Sequence, residues 1–191
     1  KFNRLYGNSV KVPRLQRVNA VVDLLPQRRV ATLESAWVPN AEVDAGTEVP
    51  VKVFLRPYRG ERLEREIKVR IPAGLPKGEH RILLSDADTA NRILTAAGQA
   101  NRFIDLPETV SLINQERSNN RLYVSLVQPR PTFYEDDKTM PSLPASVLNV
   151  MQASRAANRP LMSSGESARE QTSIPFEYVV NGSQSIRITV R

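Results

Sequence analysis

Apolar and polar residues alternate most cleanly between Thr47 and Ile71. Val49, Val51, Val53 and Leu55 fall on one side of an extended chain, and Lys52 and Arg56 fall on the other. This is the period-two pattern of a strand with one buried face. Beyond the turn residues Pro57 to Gly60 (PYRG), Leu63, Arg65, Ile67, Val69 and Ile71 share one side while Arg62, Glu64, Glu66, Lys68 and Arg70 share the other. A helix over Glu61 to Ile71 would leave Val69 off its apolar stripe, and the β-branched content and the proline after Ile71 favour a strand. The segment reads as a β-hairpin with one core face and one charged face. Arg65 is its one charged inward position, expected at the sheet margin with its stem packed and its guanidinium in solvent.

The same reading places the other elements. Val18 to Leu25 (VNAVVDLL), closed by Pro26, and Val30 to Val38 are expected strands, as are Arg81 to Leu84 and Leu122 to Val127. Val43 to Gly46 (VDAG) is a turn. Phe176 to Val180 and Ser185 to Val190 flank Asn181-Gly182, a dipeptide suited to a type I′ hairpin turn. Helices are expected at Asp86 to Ala100, at Pro107 to Arg117 and at Ser142 to Ala153, from their composition, capping residues and first-turn proline. Gln128 to Met140 reads as a Pro-rich acidic loop, and Ser154 to Thr172 as a polar, mobile stretch. Residues 1–17 read as a basic arm or linker. Residues 18–191 are expected to form a mostly β, immunoglobulin-like β-sandwich with helical insertions near 86–119 and 142–153, α+β in total.

Composition narrows the classes of function. A chain of 191 residues, 40% hydrophobic and 25% charged, can build a sizeable core. No apolar run approaches the roughly eighteen residues of a membrane-spanning helix. Residues 1–12 lack the apolar stretch of a secretory signal, and a start without Met reads as a processed or truncated product. The absence of cysteine excludes disulfides, thiolate metal sites and cysteine nucleophiles. The net charge of +7 is regional: about +6 over residues 1–30, about −4 over 31–49 and about +5 over 50–81. Charge of this kind bears on association and not on fold.

Candidate chemistry is sparse. His80 is the single histidine, set in a charged, surface-like stretch, so any Ser-His-Asp or His-based metal scheme must pass through it. Asp86, Asp88, Asp136 and Asp137 lack the spacing of a calcium loop, and helix capping explains the first pair better. Ser163-Ser164-Gly165-Glu166-Ser167 lacks the order of a nucleophile elbow, and phosphate-binding glycine loops are absent. No catalytic residue, cofactor or metal site is expected. The densest candidate is Arg56, Tyr58, Arg59 and Arg62 at the hairpin tip, an interaction surface for a protein or, less well supported by its one aromatic residue, for nucleic acid. An anionic-polymer binder and a cryptic serine hydrolase remain open beside it.

The phrases VPVKVFLRPYRGERLEREIKVRIPAGLPKGEHRILL, RLYVSLVQP and SIPFEYVVNGSQSIRITV resemble the C-terminal, non-catalytic region of bacterial, notably acidobacterial, SpoIVB-type serine peptidase proteins. The resemblance spans most of residues 29–191. It implies an extracytoplasmic protein, periplasmic or secreted, in which this region is an accessory module after an upstream peptidase domain. That domain or another protein is then the expected partner, and the oligomeric state stays open. The family's catalytic serine lies in a Gly-rich loop with a partner histidine upstream. No such loop occurs here, so the resemblance carries over no catalytic residue.

Overall fold

The computed structural model describes residues 5–7, 11, 13–99, 106–114, 116–128, 132–135, 138–141, 144, 146–147, 149–150, 162–164 and 166–191. The chain is mostly β. Its first sheet has the order β11-β1-β3-β4, built from Val30–Trp37 (β1), Glu48–Pro57 (β3), Leu63–Arg70 (β4) and Val179–Asn181 (β11). Its second has the order β10-β6-β5-β12-β2, built from Glu42–Val43 (β2), Gly78–Ser85 (β5), Arg121–Gln128 (β6), Ser167–Pro175 (β10) and Ser183–Val190 (β12). A third, smaller sheet joins Thr132–Glu135 (β7), Lys138–Pro141 (β8) and Met162–Ser164 (β9). Helices Ala87–Gln99 (α1) and Leu106–Asn114 (α2) lie between β5 and β6 in the chain.

The hairpin alternation becomes the core. Val49, Val51, Val53 and Leu55 of β3, with Ile67, Val69 and Ile71, are buried in one cluster with Ile82, Leu84, Leu122, Val124, Leu126 and Ile188 from the second sheet. Burial stabilises each such side chain by about 1.5–3 kcal/mol relative to exposure. β3 and β4 pair antiparallel, Leu55 opposite Leu63 and Glu48 opposite Arg70. Arg65 is exposed although it lies opposite buried Val53, as expected of a charged residue on an edge strand.

β6 departs from simple alternation because both of its faces are covered. Leu122, Val124 and Leu126 enter the core, while Tyr123 packs with Ala87 and Ala90 of α1. Asp86 starts that helix as a capping residue, its Oδ1 accepting from the Thr89 amide at 2.7 Å. Its Oδ2 accepts from the Gly182 amide at 2.7 Å, and its own amide donates to the Gly182 carbonyl at 3.0 Å. One carboxylate thus ties a helix start to a strand junction 96 residues later.

Several expectations need correcting. Residues 18–25 form no strand; they run as exposed coil, and the first strand begins at Val30. The expected loop from Gln128 to Met140 contains the β7–β8 hairpin. The stretch expected to be mobile between Ser154 and Thr172 contributes β9 and most of β10, the latter paired along β6; residues 151–161 lie outside the described residues. Of the helix expected at 142–153, residues 146–147 and 149–150 are helical and most of the remainder lies outside the described residues.

The expected C-terminal hairpin is also overturned. β11 pairs parallel with β1 in the first sheet, whereas β12 pairs antiparallel with β5 in the second. Gly182 has φ +98°, and Arg59 is the one non-glycine residue with positive φ among the described residues. A type I′ turn needs positive φ at both central positions, and Asn181 does not supply it. The dipeptide marks the point at which the chain leaves one sheet for the other.

Candidate functional site

The outward positions of the first sheet gather the basic and aromatic residues. Lys52, Phe54 and Arg56 alternate outward from β3 because Val51, Val53 and Leu55 face the core. Pairing sets Lys52 between Trp37 and Glu66, and Phe54 between Ser35 and Glu64. The β1–β3 register shifts between Leu33 and Ser35, so Glu34 is an extra residue in β1. Such a bulge redirects a side chain; here it delivers Glu34 to the hairpin arginines.

Glu34 accepts a hydrogen bond from Arg56 Nε and lies 3.3 Å from Arg62 Nε. The Arg56 hydrogen bond, reinforced by the charges of Arg56 and Arg62, holds the Glu34 carboxyl below its ordinary pKa, and the same bond raises that of Arg56. Arg62 also donates to Ser35 Oγ at 3.0 Å, and its guanidinium sits 4.1 Å from the centre of the Phe54 ring. Two of the candidate arginines are therefore already engaged by this chain's own residues.

The hairpin tip is organised differently. Tyr58 donates its backbone N–H to the Val30 carbonyl at 2.9 Å and leaves its ring 50% exposed. Arg59 stands 5.2 Å and Arg28 4.9 Å from the ring centre, and neither is paired with a carboxylate among the described residues. Arg59 adopts φ 56°, a left-handed conformation that disfavours a residue carrying a Cβ by about 1–2 kcal/mol. A Cβ on the next residue, Gly60, would lie 2.9 Å from Pro57 Cβ, so this turn favours glycine there. At the far end of the face, Trp37 is 45% exposed with Lys52 Nζ 5.7 Å from its ring.

The structure thus divides the four sequence candidates into an engaged pair, Arg56 and Arg62, and an available pair, Tyr58 and Arg59. It adds Arg28, Trp37, Lys52, Phe54 and Glu34. The outward register of β3 already implied Phe54. Arg28 and Trp37 carried no signal, because only the pairing of β1 beside β3 brings them to this face.

Other candidates have structural explanations. His80 is 4% exposed, correcting its expected surface setting, and its Nε2 lies 2.7 Å from the Pro76 carbonyl. Strand alternation puts His80 on the core side of β5, opposite in face to Ser85 and to Ser125 of the neighbouring β6. The sheet separates that imidazole from both buried hydroxyls. Arg117 bonds Glu170 at 2.8 Å and Asn91 at 3.0 Å beneath the Tyr123 ring, joining α1, β6 and β10. Burial raises the Tyr123 pKa, and its hydroxyl donates to the Ser118 carbonyl at 2.9 Å.

On the second sheet, a cleft of about 310 Å³ is lined by Glu79, His80, Arg81, Val127, Glu166 and Arg187. Its charges are mixed, and Arg81 is bridged to Glu166. Among the described residues no group of three or more His, Cys, Asp or Glu side chains gathers as metal ligands; Asp136 and Asp137 lie outside them. Comparison with known protein families, with curated proteins and with solved structures finds no match to this chain.

Proposed function

We propose that this chain is a non-catalytic protein-interaction module, an immunoglobulin-like β-sandwich that follows a SpoIVB-type serine peptidase domain in an exported bacterial protein. One observation carries the reading: Tyr58, flanked by Arg28 and Arg59 and exposed at a strained turn, continues into a face bearing Arg62 over Phe54 and Lys52 beside Trp37. Exposed Trp, Tyr and Arg are the residue types that dominate protein-binding energy. Strain retained at an exposed turn agrees with a functional role. The resemblance in the β3–β5 sequence supports the peptidase context and the extracytoplasmic setting. No helix among the described residues is long and apolar enough to cross a membrane.

The test uses the full-length protein carrying Tyr58→Ala and Arg59→Glu. Loss of one aromatic anchor and one cation at such a face costs about 2 kcal/mol or more in binding, which lowers processing of a protein substrate or association with the partner about thirtyfold. Hydrolysis of small peptides stays unchanged. A folded double variant that loses small-peptide hydrolysis overturns the accessory reading. Stoichiometric labelling of one serine in the 191-residue chain by a fluorophosphonate replaces it with a hydrolase. Binding to anionic polymers that weakens with a reduced salt slope after charge reversal at Arg56, Arg59 and Arg62 replaces it with a polyanion binder.

A further inference from the structure

The apolar run ahead of β1 is unpaired. Residues 14–29 are exposed throughout, with Val21 and Leu24 each 92% exposed and Val22 76%. At the far side of the first sheet, β4 is a terminal strand, and among the described residues nothing pairs with its outer edge. A long edge strand with unpaired N–H and C=O groups is a template for another strand. Its inward face is incompletely covered there, since Leu63 is half-buried and Arg65 exposed while Ile67 and Val69 are buried.

We propose that Val18–Leu25 is an exchanged strand that adds, parallel, to the outer edge of β4 in a second copy of this chain. The side-chain patterns specify the register. With Arg17 beside Glu64 and Asp23 beside Arg70, the residues Val18, Ala20, Val22 and Leu24 all fall on the inward face beside Arg65, Ile67, Val69 and Ile71. Asn19 and Val21 then lie outward beside Glu66 and Lys68. Both charge pairs along the seam are of opposite sign. Antiparallel pairing sets Asp23 beside a glutamate in either neighbouring register: beside Glu66 when Val18 faces Ile71, and beside Glu64, with Arg17 beside Arg70, when Val18 faces Val69. Charge therefore selects the parallel arrangement, although Arg17 now bonds Asn19 and Glu64 holds Lys52.

Geometry then selects the second copy. Leu33 of β1 is level with Leu55, and Leu55 with Leu63, so Val30 sits at the N-terminal end of β4. In the proposed register Leu25 lies beside Pro72, nine residues further on, about 30 Å along the strand. The chain from Leu25 to Val30 spans at most about 18 Å. A segment cannot reach this site on its own β4.

The chain contains no cysteine, so paired cysteines report the register without background. Val21→Cys with Lys68→Cys and, in a separate variant, Asn19→Cys with Glu66→Cys are each expected to form a disulfide between copies, a combination that no single antiparallel register allows, and Val21→Cys with Glu66→Cys is not. Sedimentation of the whole chain is expected to show self-association. Val22→Asp with Leu24→Asp weakens it more than about a hundredfold, because carboxylates would enter an apolar seam; both residues are exposed in the single copy, so far-ultraviolet circular dichroism stays unchanged. Asp23→Arg weakens it about tenfold, and Asp23→Arg combined with Arg70→Asp restores it. A monomeric chain at high micromolar concentration overturns the proposal, as does association that survives the aspartates, or a disulfide that the Val21→Cys, Lys68→Cys variant closes within one chain.

Discussion

The Thr47–Ile71 hairpin and the Phe176–Val190 segment carry the same kind of signal, two alternating runs around a turn, and they fold differently. In the first, a five-residue turn from Tyr58 to Arg62 returns the chain along itself, and β3 and β4 share eight paired positions. In the second, a two-residue turn motif separates β11 and β12 into different sheets. The difference lies in what each run can pair with. β3 and β4 bury their apolar residues on one continuous face, whereas β11 is held by Arg29 and Asn119 backbone groups and β12 pairs along all eight of its residues with β5, its last two also with β2. Turn chemistry permits a hairpin; competing strands decide whether it forms.

The largest expected effect tests the shared core. Leu55→Ala is expected to destabilise the chain by about 2–5 kcal/mol in urea unfolding, since Leu55 is fully buried. Ile188→Ala should fall in the same range, because Ile188 is 1% exposed; Ile186→Ala, at a half-buried position on the same face of β12, should cost at most half as much. Equal losses at 186 and 188 would restore an ordinary surface hairpin to the C-terminus.

The next effect tests the sheet-to-sheet junction. Asp86→Ala removes the α1 cap and the acceptor for the Gly182 amide together, a loss of about 2 kcal/mol. Gly182→Ala places a Cβ at φ +98° and costs about 1–2 kcal/mol. A smaller effect separates the two readings of the dipeptide itself: Asn181→Gly should destabilise by about 0.5–1 kcal/mol because Asn181 is a strand residue without positive φ. In a type I′ turn the same change would be neutral or stabilising.

The smallest effect belongs to the hairpin face. Glu34 has its pKa lowered in the folded chain chiefly by the Arg56 hydrogen bond, so its contribution is fully present above its unfolded pKa. It is lost as pH falls through the folded value. Thermal unfolding of Glu34→Gln should differ from the parent at neutral pH, and the difference should close below the ordinary value of 4.5. A gap that persists at lower pH would assign the effect of Glu34 to the hydrogen bonding of its side chain rather than to its charge.

Much of the strand pattern was legible in the residues, because β3, β4, β5 and β6 each bury a face or both faces against one core and write that burial as period two or as a continuous apolar run. Helices α1 and α2 were legible from capping and first-turn signals. Residues 18–25 misled because an apolar run of strand length has the same composition whether or not a partner strand lies beside it. β9 and β10 were obscured for the opposite reason: their polar sequence, SSGESAREQT, is tolerated at the edge position of β10, where burial is partial.

By itself, the sequence determined local periodicity, the one-sided burial of the Thr47–Ile71 hairpin and the placement of Arg56, Tyr58, Arg59 and Arg62 near its tip. These depend on neighbours within a few residues, where alternation and turn geometry act. Only the tertiary structure decided that Glu34 engages Arg56 and Arg62, that Arg28 and Trp37 join the face, that His80 is buried and that Gly182 is a crossing point. Those outcomes depend on strand pairing and side-chain contacts across up to 150 residues, and pairing is chosen by the burial and hydrogen bonding of the whole assembly rather than by any one segment.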